Sequence, residues 1–134
     1  MDSLATAEST HESTNLRTIK DAFDISGRQG FMAGLEILLA RAHEDCEFRP
    51  YIASGHVVRG HDAIRGFYRA ALKAGTEMRM RAISFQEVGN LVVVYGSMRV
   101  GRPSGGFSES QITWTYRFRD GLLAEVSWSP RRST

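Results

Sequence analysis

A single cysteine, Cys46, stands among the 134 residues, so no internal disulfide can form. Without a second Cys or a Cys/His cluster at zinc spacing, neither a structural metal nor a secreted disulfide scaffold is expected, and a reduced cytoplasmic setting follows. Asp45 and Glu47 flank the thiol, and their charges oppose a thiolate, so Cys46 reads as a small core residue rather than a nucleophile. Charge of one sign is also missing: 17 basic residues against 15 acidic ones leave a net +2. The nearest thing to a basic cluster, Arg79, Arg81 and the Arg131-Arg132 pair, lacks the aromatic interleaving of a nucleic-acid surface. No apolar run approaches the roughly 20 residues of a bilayer-spanning helix, so no membrane partner is expected. Residues 1–14 (MDSLATAESTHEST) carry neither the basic start nor the apolar stretch of a signal peptide and read as a disordered tail. The Gly-rich run 101–106 (GRPSGG) has no Walker or dinucleotide pattern around it and reads as a flexible loop, so no cofactor is expected.

What is present is one domain, 15–130, long enough to bury a core without staples. Asn15 can cap a first helix carrying Leu16, Ile19, Ala22 and Phe23 at helical spacing, with Gly27 as its stop and Arg28-Gln29-Gly30 as a short loop. A second helix runs from about Phe31 to Ala42. A short strand, Cys46–Pro50, ends at a proline that cannot donate to a ladder. After a loop around Ala53-Ser54-Gly55 come Val57–Arg59 and a third helix, about His61–Ala74, whose Ala63, Ile64, Phe67, Tyr68, Ala71 and Leu72 form one apolar stripe. Three long strands follow, Glu77–Val88, Leu91–Gly101 and Phe107–Arg119, then a shorter one, Leu122–Trp128. In the first of these the apolar phase moves from Met78, Met80 and Ala82 to Ile83 and Phe85, which predicts a β-bulge. Leu91–Tyr95 is apolar on both faces, and a strand covered on both sides needs a second partner; a homodimer supplies one. Helices first and an antiparallel sheet second is the order of an α+β domain.

Four phrases in this order resemble the NTF2-like superfamily, and within it the SnoaL-like proteins: Arg28-Gln29-Gly30, the run from Glu44 to Pro50, the run from Arg59 to Tyr68, and the run from Tyr116 to Leu122. The resemblance implies a cone-shaped α+β barrel, usually dimeric, with three helices packed on a curved, mostly antiparallel sheet and a pocket between them. It does not imply one chemistry, because the superfamily holds isomerases, cyclases, dehydratases, epoxide hydrolases and binders. Ketosteroid isomerase has a similar helix-opening phrase. Its base position falls here on Arg49, its oxyanion Asp on Trp114 and its Tyr on Ala22 or Phe23, and an Arg cannot act as a base at neutral pH. The cyclase-type His and Asp on later strands are absent, since His11, His43, His56 and His61 all lie early, and no Asp-Arg-Asp set of the limonene epoxide hydrolase type is visible.

The remaining candidates are Glu47 and Arg49, two apart on the first strand and so on one face. If the base position is placed correctly, that face is the concave one, with Arg49 holding a carboxylate, phenolate or carbonyl and Glu47 orienting it or acting as a base. The alternative is that the two neutralise each other at a rim. Tyr68, Trp114, Tyr116 and Trp128 either line a cavity for a flat, partly apolar ligand or are simply core. His56 is placed in a loop at a pocket mouth, where it either meets the ligand or is merely solvated. The expectation is a cofactor-independent pocket protein binding a largely apolar or aromatic molecule. Two alternatives stand beside it: an enzyme (cyclase, dehydratase, isomerase or hydrolase) using Glu47 with Arg49, and a structural dimeric module whose cone is filled by its own side chains.

Overall fold

The computed structural model describes residues 12–50 and 55–130. Among them are three helices, α1 (Thr14–Gln29), α2 (Phe31–Leu39) and α3 (His61–Lys73), and six strands, β1 (Ala42–Arg49), β2 (Val58–Arg59), β3 (Glu77–Val88), β4 (Leu91–Gly101), β5 (Phe107–Arg119) and β6 (Leu122–Pro130). The strands form one sheet in the order β2-β1-β6-β5-β4-β3, antiparallel throughout except where β1 pairs parallel with β6. This is the expected α+β architecture.

The first helix differs from expectation at both ends. Ser13, not Asn15, is the cap: its Oγ accepts from the Leu16 N–H at 3.0 Å and donates to Glu87 Oε2 at 2.7 Å, tying the start of α1 to β3. The expected tail therefore falls outside the described residues except for Glu12, Ser13 and Thr14, and Glu12 pairs with Lys20. Gly27 does not stop the helix, because an interior glycine costs only about 1 kcal/mol, and the turn continues to Gln29. The break is Gly30, at φ 105°, a conformation that favours glycine. The helix expected to reach Ala42 ends at Leu39, and β1 starts four residues earlier than expected. Of the loop expected around Ala53-Ser54-Gly55, Ala53 and Ser54 lie outside the described residues.

β1 stops at Arg49, directly before Pro50. The bulge expected in β3 is present, with the register to β4 shifting between Ala82 and Ser84. It is made possible by Gly96, where a Cβ would lie 2.0 Å from the Arg81 carbonyl oxygen. A second close approach holds α1 against α2: a Cβ on Gly34 would lie 2.6 Å from the Ala22 carbonyl oxygen. The helices and the inner face of the sheet bury one continuous core, including Ile19, Phe23, Leu35, Leu39, Phe48, Ile64, Val92, Val94, Met98 and Ile112. α3 is fastened to α2 by Arg65, whose Nε and Nη2 donate to the two Glu36 oxygens at 2.7 and 2.9 Å.

Candidate functional site

Strand alternation decides which side chains enter the cone. On β5, Ile112, Trp114, Tyr116 and Phe118 are buried and their neighbours are not; on β1 the buried residues are Cys46 and Phe48. Trp114 sits opposite Trp128 in the β5–β6 register. Tyr68, projecting from α3, stacks on Trp128 with centroids 6.0 Å apart and lies 4.8 Å from Phe31. Phe23 meets Trp114 edge-on at 5.1 Å. The four aromatic residues expected at a cavity thus come together in one cluster.

That cluster has an unusual polar feature. The Tyr68 hydroxyl, the Trp114 Nε1–H and the Trp128 Nε1–H are buried with no hydrogen-bond partner among the described residues. Buried polar groups are normally paired, and leaving one unpaired costs about 1–3 kcal/mol. Burial raises the Tyr68 and Tyr116 phenols well above their ordinary range, Tyr116 further through the nearby Tyr68, so both stay neutral hydrogen-bond groups at physiological pH. Among the described residues the cluster's surroundings hold no buried carboxylate, imidazole or ammonium, Thr18 being the one buried polar side chain of the core. Burial and the charges of Asp45, Glu47 and Glu125 push the Cys46 thiol up to about 12, so it stays a thiol.

The cone is filled by these side chains. A residual cavity of about 20 Å³ lies among Phe31, Leu35, Phe48, Met80, Tyr116 and Trp128, room for about one water. Tyr68 and Trp114 pack behind that lining, with no exposed surface. Outside it, a cleft of about 560 Å³ opens between the α1–α2 junction and β3, walled by Phe31, Met32, Leu72, Met78 and Met80, with Gln29, Glu77 and Arg79 at its polar edge. Phe31 and Met80 belong to both spaces and form the partition between them. Met78 and Met80, named in the sequence only as apolar positions of a strand, stand on the wall of this cleft. The edge position of β3, next to the helix junction, puts them there.

Glu47 and Arg49 are not brought to the aromatic cluster. They alternate with the buried Cys46 and Phe48 and therefore project from the outer face, against the expectation that their face is the concave one. There Arg49 bridges two carboxylates, Nε to Glu125 at 2.9 Å and Nη2 to Glu47 at 3.5 Å. Arg59 donates through Nε to Glu47 at 3.0 Å, and Arg117 to Glu125 at 3.4 Å. The result is a five-membered chain of alternating charge, Arg59, Glu47, Arg49, Glu125, Arg117. His56 is exposed and stacks on Phe67 at 5.8 Å, away from the residual cavity.

An α+β cone with an aromatic interior is the class of structure to which the comparisons also point. The chain belongs to the SnoaL-like domain family, which matches residues 32–126. It is similar in structure to an NTF2-like protein of unknown function from Burkholderia pseudomallei, with a TM-score of 0.73 and 24% identity over 90% of this chain and 92% of that one. TerC, crystallised with polyporic acid, superposes with a TM-score of 0.72 at 23% identity, covering 89% of this chain and 92% of that one. A provisionally assigned polyketide cyclase from Pseudomonas putida gives a TM-score of 0.70 at 12% identity, covering 88% and 92%. These likenesses establish the NTF2-like fold. No curated protein matches the sequence.

Proposed function

We propose that this SnoaL-like protein binds a small, neutral, flat and largely apolar molecule that carries a hydrogen-bond acceptor. The observation that carries the reading is the partition of Phe31 and Met80 between the 560 Å³ outer cleft and the small inner cavity, with three unpaired donors in the cluster behind it. The outer cleft has the volume and the apolar wall of a ligand site, for which about 300–1,000 Å³ is usual. Three methionines give that wall adaptable packing. Indole N–H groups donate and cannot accept, so the ligand's inner end presents a carbonyl or ether oxygen rather than a donor. TerC provides a precedent for a small molecule on this fold.

The test compares 1-tetralone with tetralin, two bicyclic probes that differ by one carbonyl oxygen. In ¹H–¹⁵N spectra, 1-tetralone should shift the Trp114 and Trp128 indole resonances saturably and tetralin should bind more weakly. Equal behaviour of the two probes, or no shift with either, would sink the reading.

A second reading, the structural module, is favoured by the complete burial of Trp114 and Tyr68. Homodimerisation belongs to either reading. Leu91, Val93 and Tyr95 alternate with the buried Val92 and Val94 and so lie on the outer face, and Ile83 and Val88 on neighbouring β3 are 67% and 56% exposed. Light scattering that finds a monomer at micromolar concentration would remove the dimer. Catalysis by Glu47 with Arg49 would have to operate on the outer face, away from the aromatic cluster, and with both groups already engaged in the ion-pair chain.

A further inference from the structure

The outer face of the sheet changes character along the strands. Around Arg49 the charges alternate and pair; towards the β4–β5 hairpin they do not. Arg79 and Arg99 are direct cross-strand partners on β3 and β4, and both are exposed, alternating with inward Met78 and Met98. Like charges placed opposite one another destabilise a sheet. None of the ion pairs among the described residues involves Arg79, Arg99 or the neighbouring Arg102. Glu109 stands opposite Arg99 on β5, yet the Arg99 guanidinium turns instead to the Phe107 ring, 3.6 Å from its centroid. Phe107 itself is left 55% exposed. An apolar ring and unpaired guanidinium groups are therefore held together in solvent.

These side chains line a cleft of about 770 Å³, with Arg79, Arg99, Arg102 and Phe107 on its walls and Glu77 as the carboxylate among its lining residues. Its frame is fixed by backbone contacts. The Arg102 N–H donates to the Gly106 carbonyl at 3.0 Å and the Gly105 N–H to the Arg102 carbonyl at 2.9 Å, closing the hairpin. Pro103 packs on Gly75, where a Cβ would sit 3.2 Å from the proline Cβ. The run 101–106, expected to be a flexible loop, thus forms a wall.

We propose that this cleft is an anion site for a phosphate monoester, with Arg79, Arg99 and Arg102 on the phosphate and Phe107 against its organic part. Three guanidinium groups and one carboxylate leave two positive charges in the lining, and including the row neighbours Arg81 and Glu109 leaves the balance the same. A phosphate monoester dianion neutralises that charge, whereas a carboxylate neutralises half of it. Guanidinium forks also match phosphate oxygens in geometry. The proposal is independent of the ligand assigned to the cone, although the two clefts share Glu77 and Arg79 on the edge strand.

Calorimetric titration with phenyl phosphate and with benzoate tests it. Phenyl phosphate should bind one to one and more tightly than benzoate. Arg79→Gln or Arg99→Gln should weaken it about tenfold, the loss expected for a hydrogen bond to a charged group, while Arg28→Gln on α1 leaves it unchanged. Thermal midpoints equal to the parent's would show that the exposed substitutions left the fold intact. Sedimentation with phosphatidylcholine vesicles, with and without phosphatidic acid, separates the sources of the monoester. Binding that needs phosphatidic acid and Arg99 assigns a lipid headgroup, and binding of phenyl phosphate alone assigns a soluble ester. Equal affinity for benzoate, indifference to both substitutions, or failure of both phosphate probes overturns the site.

Discussion

Trp114 and Trp128 are cross-strand partners on β5 and β6, their rings edge to face with centroids 6.2 Å apart, and each buries an indole N–H that no group among the described residues accepts. Tyr68 completes the set from α3. A core would gain stability by losing such groups or by pairing them with an acceptor.

Tyr68→Phe follows directly. The ring keeps its volume and loses only an unpaired hydroxyl, so urea unfolding should show a protein unchanged or stabilised by about 1 kcal/mol. The same substitution should weaken 1-tetralone. A loss of stability greater than about 1 kcal/mol would mean that the hydroxyl has a partner in the folded protein.

Gly96→Ala should be among the most damaging single-methyl changes in the chain. The added Cβ meets the backbone of Arg81, which cannot swing away as a side chain would, and overpacking of this kind costs about 3 kcal/mol. Gly34→Ala should cost about 1–3 kcal/mol by forcing α1 from α2. Thermal unfolding of both variants measures this. Stability equal to that of the parent would require a different bulge geometry.

Arg49→Met separates the outer face from the cone. It leaves Glu47 and Glu125 without their shared partner, yet the side chain is about half exposed, and such pairs are worth roughly 0–1 kcal/mol. Stability should fall by no more than that, and the 1-tetralone shifts should be unaffected. If Arg49→Met abolished them, Arg49 would return as a ligand group.

Alkaline pH should destabilise the fold before it affects surface ion pairs between carboxylates and Arg. The Cys46 thiol rises from 9.0 to about 12 on folding, chiefly through burial, and Tyr68 and Tyr116 shift upward for the same reason. The folded chain therefore holds protons that the unfolded chain releases. Stability is complete below about pH 9 and falls as pH rises towards 12. Urea midpoints at pH 7 and pH 10.5 should show the drop, and Cys46 should resist alkylation at pH 8 until urea unfolds the chain.

The long strands were legible because β5 alternates cleanly and β4 opens on a β-branched run between turn residues, and the bulge because its phase change is written in Met80, Ala82, Ile83 and Phe85. The start of β1 was hidden because Ala42 continues the apolar run of the preceding helix in sequence and His43-Glu44-Asp45 are polar, none of them buried. Family placement of the base position put Glu47 and Arg49 on the concave face. The local pattern said otherwise, since Cys46 and Phe48 are the apolar residues of that strand and parity sends their neighbours outward. The arginine cleft was illegible because it depends on the turn of Arg99 towards Phe107 rather than Glu109, which no spacing rule fixes.

The parallel pairing of β1 with β6 also governs how this chain must fold. It joins residues far apart in sequence, such as Phe48 with Val126 and Ala42 with Leu123, while the remaining ladders of β3 to β6 join neighbours. The meander β3–β6 can assemble by successive hairpins and α1 can dock on β3, but β1, paired otherwise with the two-residue β2, has no long strand to join until β6 exists. Such a distant contact lengthens the search, and a nascent chain halted before residue 122 would hold Phe48 and Leu39 uncovered. During synthesis this domain therefore depends on its last strand, and a chaperone that shields apolar surface would meet it chiefly in that interval.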